Sequence, residues 1–137
     1  MMTIREFAKT VCPEHRFDGN YISEKYAEYF KENATPGDGV TVHYYTDAHA
    51  YTIIARTPKT LTLRRDKATL KSSFKPEFIP GGFFGTVINQ DEQEYDYEPD
   101  ENGSIVKAYW SNRKHGFYVH QDLYVTYGRH EFYDYNF

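Results

Sequence analysis

Cysteine is nearly absent: Cys12 stands alone in 137 residues, so no internal disulfide can brace the fold. A reducing, cytoplasmic setting is expected on that ground. Long apolar runs are missing too. No stretch approaches the roughly 18 residues of a membrane span, and the first residues lack the apolar segment of a secretory signal, so no membrane partner is expected. The signatures of common chemistry are also absent. There is no Gly-x-Ser-x-Gly elbow, no His-Glu-x-x-His helix and no paired Cys/His spacing, and the sequence therefore points to no catalytic residue, no metal and no cofactor. Cys12 and His15 suggest a thiol–imidazole pair, but a cysteine at a helix C-terminus meets a dipole that disfavours thiolate. The reading leans away from an enzyme.

What is abundant is aromatic. Fourteen Tyr and ten Phe bring the aromatic share to 18%. Tyrosine joins a large apolar body to a polar tip, which suits both sheet faces and recognition surfaces. The length fits one domain, 1–137, with a helical N-terminal segment over 1–35 and a β-rich body over 36–137.

Thr3 and Glu6 form a capping-box pattern ahead of an apolar stripe of Ile4, Phe7, Ala8 and Val11, and Pro13 stops that first helix. After a loop at Asp18-Gly19-Asn20, Ser23 is the expected N-cap of a second helix to about Asn33, with Tyr26, Ala27 and Phe30 buried. From Val40 the period changes to two. Val40, Val42 and Tyr44 alternate with polar residues, Tyr51–Arg56 is β-rich, Thr57-Pro58-Lys59 is a turn, and Leu61 and Leu63 alternate in a third strand. Further strands are expected at Thr86–Asn89, Glu94–Glu98, Ile105–Trp110, Phe117–His120 and Leu123–Tyr127, with a turn at Pro99–Gly103. The final run from Arg129 to Phe137 is expected to insert into a sheet or an interface. Residues 68–77 lack periodicity, and the glycine-rich Phe78–Gly85 reads as a bulge or, with free amides, an anion nest.

The meander from Gly37 to Asp66 resembles the opening of a Src-homology-3-like barrel. The fold class expected is therefore α+β, mostly β: a small Src-homology-3-like β-barrel or strongly bent antiparallel sheet with two short N-terminal helices. Across most of the chain from Gly37, the phrases GDGVTV, Thr46-Asp47, AYTII, RRDKAT and RHEFYDYNF resemble small uncharacterised proteins encoded in bacteriophage and prophage genomes. That resemblance implies a viral accessory protein and carries no catalytic residues with it.

Charge is unevenly distributed. Residues 56–75 hold seven cations against Asp66 alone, whereas residues 77–101 hold eight carboxylates and no Lys or Arg. Such blocks can face each other within one chain or between subunits. The candidate ligand-binding residues combine guanidinium or imidazole with aromatic planes: Tyr44, His49, Tyr51, Arg64, Arg65, Lys67, Arg113, Lys114, Arg129, His130 and Tyr133. Asp91, Glu92, Glu94, Asp96 and Glu98 are the acidic partner-binding candidates. Together these features lead to a non-enzymatic phage accessory protein that binds a host component, either a host defence protein or a nucleotide-like signal, and interferes with antiviral defence. The alternatives are a single-stranded nucleic-acid-binding module and, less favoured, a small nucleotide hydrolase. Self-association into a homo-oligomer is expected.

Overall fold

The computed structural model describes residues 1–11, 19–75 and 90–133. Two helices precede the strands: α1 (Ile4–Val11) and α2 (Gly19–Asn33). The Glu6 amide donates to Thr3 Oγ1 at 3.2 Å, so Thr3 caps α1 as its spacing predicts. Two expectations for the helices need correction. Ile4 is 47% exposed and Ala8 is half-buried, so of Ile4, Phe7 and Ala8 it is Phe7 that is buried, because α1 rests on α2 through its Phe7 edge. Ser23 does not cap α2; Gly19 and Asn20 already lie within the helix, and burial of Ile22 on the same face as Phe30 outweighs the local turn preference of Gly and Asn.

Among the described residues eight strands follow: β1 (Gly39–His43), β2 (Ala48–Thr57), β3 (Thr60–Arg65), β4 (Lys67–Leu70), β5 (Tyr95–Glu98), β6 (Ile105–Ser111), β7 (Gly116–Val119) and β8 (Leu123–Tyr127). Six of them close into an antiparallel barrel in the order β1-β2-β3-β6-β7-β8, with β8 returning to β1. The domain is thus α+β, mostly β, and of the two forms the sequence allows it takes the closed barrel. Closure removes exposed strand edges from the wall. The interior follows the period-two pattern. Val40, Val42, Ile53, Leu61, Leu63, Phe117, Val119 and Val125 point inward and are almost wholly buried. Phe30 of α2 and Ala34 just past its end plug one mouth, where the Phe30 ring meets Phe117 edge-on at 5.8 Å. Each such side chain contributes roughly 1.5–3 kcal/mol by burial, so the core suffices without covalent staples.

Between β3 and β6 the chain leaves the barrel to form the β4–β5 hairpin. Residues 68–70, read as aperiodic in the sequence, belong to strand β4; its four residues alternate only weakly in burial, and pairing with β5 decides their conformation. Lys67 lies opposite Glu98, and Lys71 Nζ is 3.5 Å from Glu94 Oε2, so parts of the basic and acidic blocks do face each other within one chain. The chain rejoins the wall at Gly103, whose missing Cβ lets the Arg65 carbonyl approach and the Arg65 amide donate to Ser104 O at 2.8 Å.

Past β8, Gly128 takes φ 93° and reverses the chain, which runs as a strap over the outside of β1 and β2. The last run is expected to be a strand, but its described residues, 129–133, make a single bridge, Phe132 to Ala48, and side chains rather than a ladder hold them. Smaller boundary differences are of the same kind. Tyr44 lies past the end of β1, β2 is ten residues long, Glu94 precedes β5, and His120 is a turn residue with φ 57°. Cys12, Pro13, His15, Phe78–Gly85, Thr86–Asn89 and Asp134–Phe137 lie outside the described residues, and so do the readings attached to them.

Candidate functional site

Two sets of polar and aromatic side chains stand out, one under the strap and one on the barrel wall. The first gathers at the barrel mouth opposite α2. Arg65, at the end of β3, extends its guanidinium to Glu131 of the strap, with Nη2 donating to Oε2 at 2.8 Å. His49 Nδ1 reaches the same oxygen at 2.7 Å, and the Ala50 amide donates to Oε1 at 2.9 Å. The Glu131 amide in turn donates to Tyr97 Oη at 2.8 Å, which ties the β4–β5 hairpin in. Burial alone would raise the Glu131 carboxyl, but the hydrogen bonds from His49 and Ala50 and the charge of Arg65 hold it below the ordinary glutamate range. Tyr44 and Tyr51 close the mouth with their hydroxyls 2.8 Å apart, and burial, reinforced by Tyr44, pushes the Tyr51 phenol well up.

A second pair lies beside the first. Arg129 Nε donates to Asp66 Oδ2 at 2.7 Å and its Nη2 donates to Thr52 Oγ1 at 2.8 Å, while Thr52 Oγ1 donates to Asp66 Oδ1 at 2.5 Å. Asp66 is 4% exposed. A Cβ on Gly39 would strike the Arg129 side chain, so glycine there leaves room for the guanidinium. Ala48 and Ala50 are small enough for the strap to cross over them. Arg65 and Arg129, two of the guanidiniums that could cradle a phosphate, are therefore already neutralised by carboxylates of the same chain.

The second set lies on the outer wall. Tyr109 on β6 pairs with Tyr118 on β7, Tyr118 pairs with Tyr124 on β8, and the Tyr124 ring stacks on His43 of β1 with centroids 6.3 Å apart. The Tyr118 and Tyr124 rings are 5.4 Å apart. The ladder thus places four ring side chains in one row across four strands. Lys114 Nζ sits 4.7 Å over the Tyr118 ring, and Lys107 shares the outer face of β6 with Tyr109. Thr62 of β3 pairs with Lys107, and Arg64, two residues on, continues the same face. None of the six barrel strands carries an Asp or Glu, although the chain holds 20 of them. The wall is cationic and aromatic while the molecule as a whole is acidic.

The candidates named from sequence thus divide. Tyr44, His49, Tyr51 and Arg65 converge at the mouth, and Arg129 joins them through Asp66 and Thr52. Arg64 points to the wall, with Nε buried and unpartnered. Lys67 is exposed on β4. Arg113 and Lys114 sit at the β6–β7 tip, at the opposite barrel end from Arg65, since β6 pairs its first residue with Arg64 and its Tyr109 with Thr60. His130 is exposed on the strap, its amide bonded to Thr41 Oγ1, and Tyr133 exchanges backbone bonds with the Gln93 side chain. Asp91 and Glu92 lie in a short 3₁₀ turn, and Asp96 and Glu98 point outward from β5. Sequence reasoning passed over Glu131, Asp66, Tyr109, Tyr124 and His43. The first two had a signal: Asp66 is a lone carboxylate inside the cationic run Arg64–Lys67, and Glu131 directly follows Arg129 and His130. The wall row was visible only as alternation, because its members come from four separate strands.

No protein-family profile, curated protein or solved structure matches this chain. Among the described residues no group of three or more His, Cys, Asp or Glu is placed to hold a metal ion, and no helix is long and apolar enough to cross a membrane.

Proposed function

We propose that this chain is a non-enzymatic binding protein of the phage accessory kind, and that it works by holding a host-side ligand on the outer wall of the barrel. The observation that carries the reading is the row Tyr109, Tyr118, Tyr124 and His43 on a wall whose strands hold cations and no carboxylate. Rings offer stacking faces to bases, and cations neutralise a phosphate backbone, so the ligand chemistry this surface suits is a single-stranded nucleic acid. A free mononucleotide is less well served, because Arg65 and Arg129 are held by Glu131 and Asp66. A few wall cations on an acidic molecule also disfavour bulk duplex, whose sequence-independent binding needs a wide basic field.

The test is fluorescence anisotropy with labelled single-stranded DNA and RNA at low and moderate salt. Binding should weaken with salt and fall on Tyr118→Ala. Absence of any binding by the wild-type protein at low salt would overturn the nucleic-acid reading; a host protein engaged through the acidic β5 edge would then be the reading to pursue, by pull-down with the Asp96→Asn/Glu98→Gln variant as control. Interference with antiviral defence is the proposed outcome, checked by phage plating on defended hosts that express the chain.

A further inference from the structure

A cavity of about 250 Å³ opens between the helices and the barrel at one end of the ring row. Tyr124 belongs to both, since its ring stacks in the row and also lines the cavity. The other walls are mostly flat and apolar: Tyr26, Phe30, Phe117 and Tyr127, with Ala27 as the floor on α2. Thr3, Thr126 and His130 add polar side chains to the lining. Thr126 Oγ1 lies 2.8 Å from His43 Nε2, so one hydroxyl touches both the last ring of the row and the cavity. A second hydroxyl, Tyr26 Oη, donates to Met2 O at 2.7 Å and fixes the ring that forms the wall facing the barrel.

From this continuity we infer that the cavity receives one nucleobase of the strand held on the row, which is turned out of the stack past Tyr124. The inference rests on the proposed function and adds base preference to it. Three features favour a base over an alkyl chain. The lining is rich in aromatic rings, the side chains that stack on a planar guest in base-flipping pockets. A hydroxyl and an imidazole, those of Thr126 and His130, are in the lining and can partner the hydrogen-bonding edge of a heterocycle. The entrance also adjoins a surface that would hold the rest of the strand. Ligand sites of this kind are concave and mostly apolar, with a few convergent polar groups. Stacking along the open row is tolerant of sequence, so discrimination between bases falls to the enclosed position.

The experiment compares wild type with Ala27→Leu, which fills the cavity floor, and with Thr126→Val, which removes the hydroxyl; Tyr109→Ala is the control on the row outside the cavity. Fluorescence anisotropy is measured with homopolymer oligonucleotides of equal length. In parallel, free nucleosides are titrated while the Val125 methyl resonances under the cavity are followed by NMR. Wild type should bind one homopolymer at least tenfold tighter than another. Ala27→Leu, or Thr126→Val if the former does not fold, should abolish that ratio while salt-dependent binding persists, and Tyr109→Ala should weaken all homopolymers alike. Equal wild-type affinity for every base, or a preference unchanged in both cavity variants, would overturn the inference and leave the row reading intact. If no oligonucleotide binds, the row reading fails; the cavity inference then stands only if a nucleoside shifts Val125 in wild type and not in the filled variant, and falls otherwise.

Discussion

Arg65 Nη2 donates to Glu131 Oε2 at 2.8 Å, linking the end of the third strand to a strap 66 residues further along the chain. The contact explains why residues 129–133, after the last strand, stay on the barrel through one backbone bridge. Glu131 is 8% exposed at its side chain, so the carboxylate depends on these donors for the solvation it has lost.

Removing one partner should therefore cost more than the pair itself contributes. Glu131→Ala leaves Arg65 Nη2 and the Ala50 amide without their carboxylate acceptor, and a loss of about 2–4 kcal/mol is expected. Arg65→Ala should also lower stability, whereas Arg64→Ala, whose Nε has no partner, should not. Urea denaturation followed by tryptophan fluorescence checks all three, and an unchanged midpoint for Glu131→Ala would remove the strap from the stability argument.

Acid should loosen the same lock. The Glu131 carboxyl is held below the ordinary glutamate value in the folded state, so the unfolded chain binds the proton more readily. The stability this group contributes is complete above the unfolded pKa of about 4.3 and is lost as pH falls through the lower folded value. Thermal melts across that acid range should decline less steeply for Glu131→Gln than for wild type, starting from a lower plateau.

Gly103 is predicted to tolerate no side chain. A Cβ there would meet the Arg65 carbonyl, which is main chain and cannot swing aside. Gly103→Ala should cost roughly 1–3 kcal/mol, the usual range for forcing atoms into a packed position, and should disturb Arg65 as well. Gly37→Ala, with open space but φ 99°, separates backbone strain from collision; both are read as shifts in melting temperature.

On the wall, Tyr118→Ala should weaken single-strand binding by roughly 1–3 kcal/mol, or about five- to 150-fold, because one stacking face is lost. Lys107→Ala should instead reduce the slope of log affinity against log salt by a little under one, since a phosphate contact releases one counterion. Anisotropy titrations at four salt concentrations distinguish the two effects, and an unchanged slope would show that Lys107 meets no phosphate.

Much of the architecture was legible locally. The alternation of Val40 and Val42 and of Leu61 and Leu63, the Pro58-Lys59 turn and the Thr3 cap all act over a few residues, and all appear where the pattern places them. The misses have a common origin. Gly19 and Asn20 carry turn signals but are helical because Ile22 docks into the body, and β4 has little pattern of its own yet pairs with β5 from a point 25 residues or more away.

By itself the sequence determined a β-rich body behind two helices, a surplus of tyrosine and a split of charge into blocks. Those are matters of composition and short-range period, set by how a side chain alternates along its own strand. Only the tertiary structure decided which cations are already neutralised and which rings share a face. Arg65 and Arg129 look as available in the sequence as Lys107, but barrel closure and the reversal at Gly128 bring Glu131 and Asp66 against them. The same closure lines up Tyr109, Tyr118, Tyr124 and His43, because strand register, which depends on pairing between distant segments, places each ring beside the next.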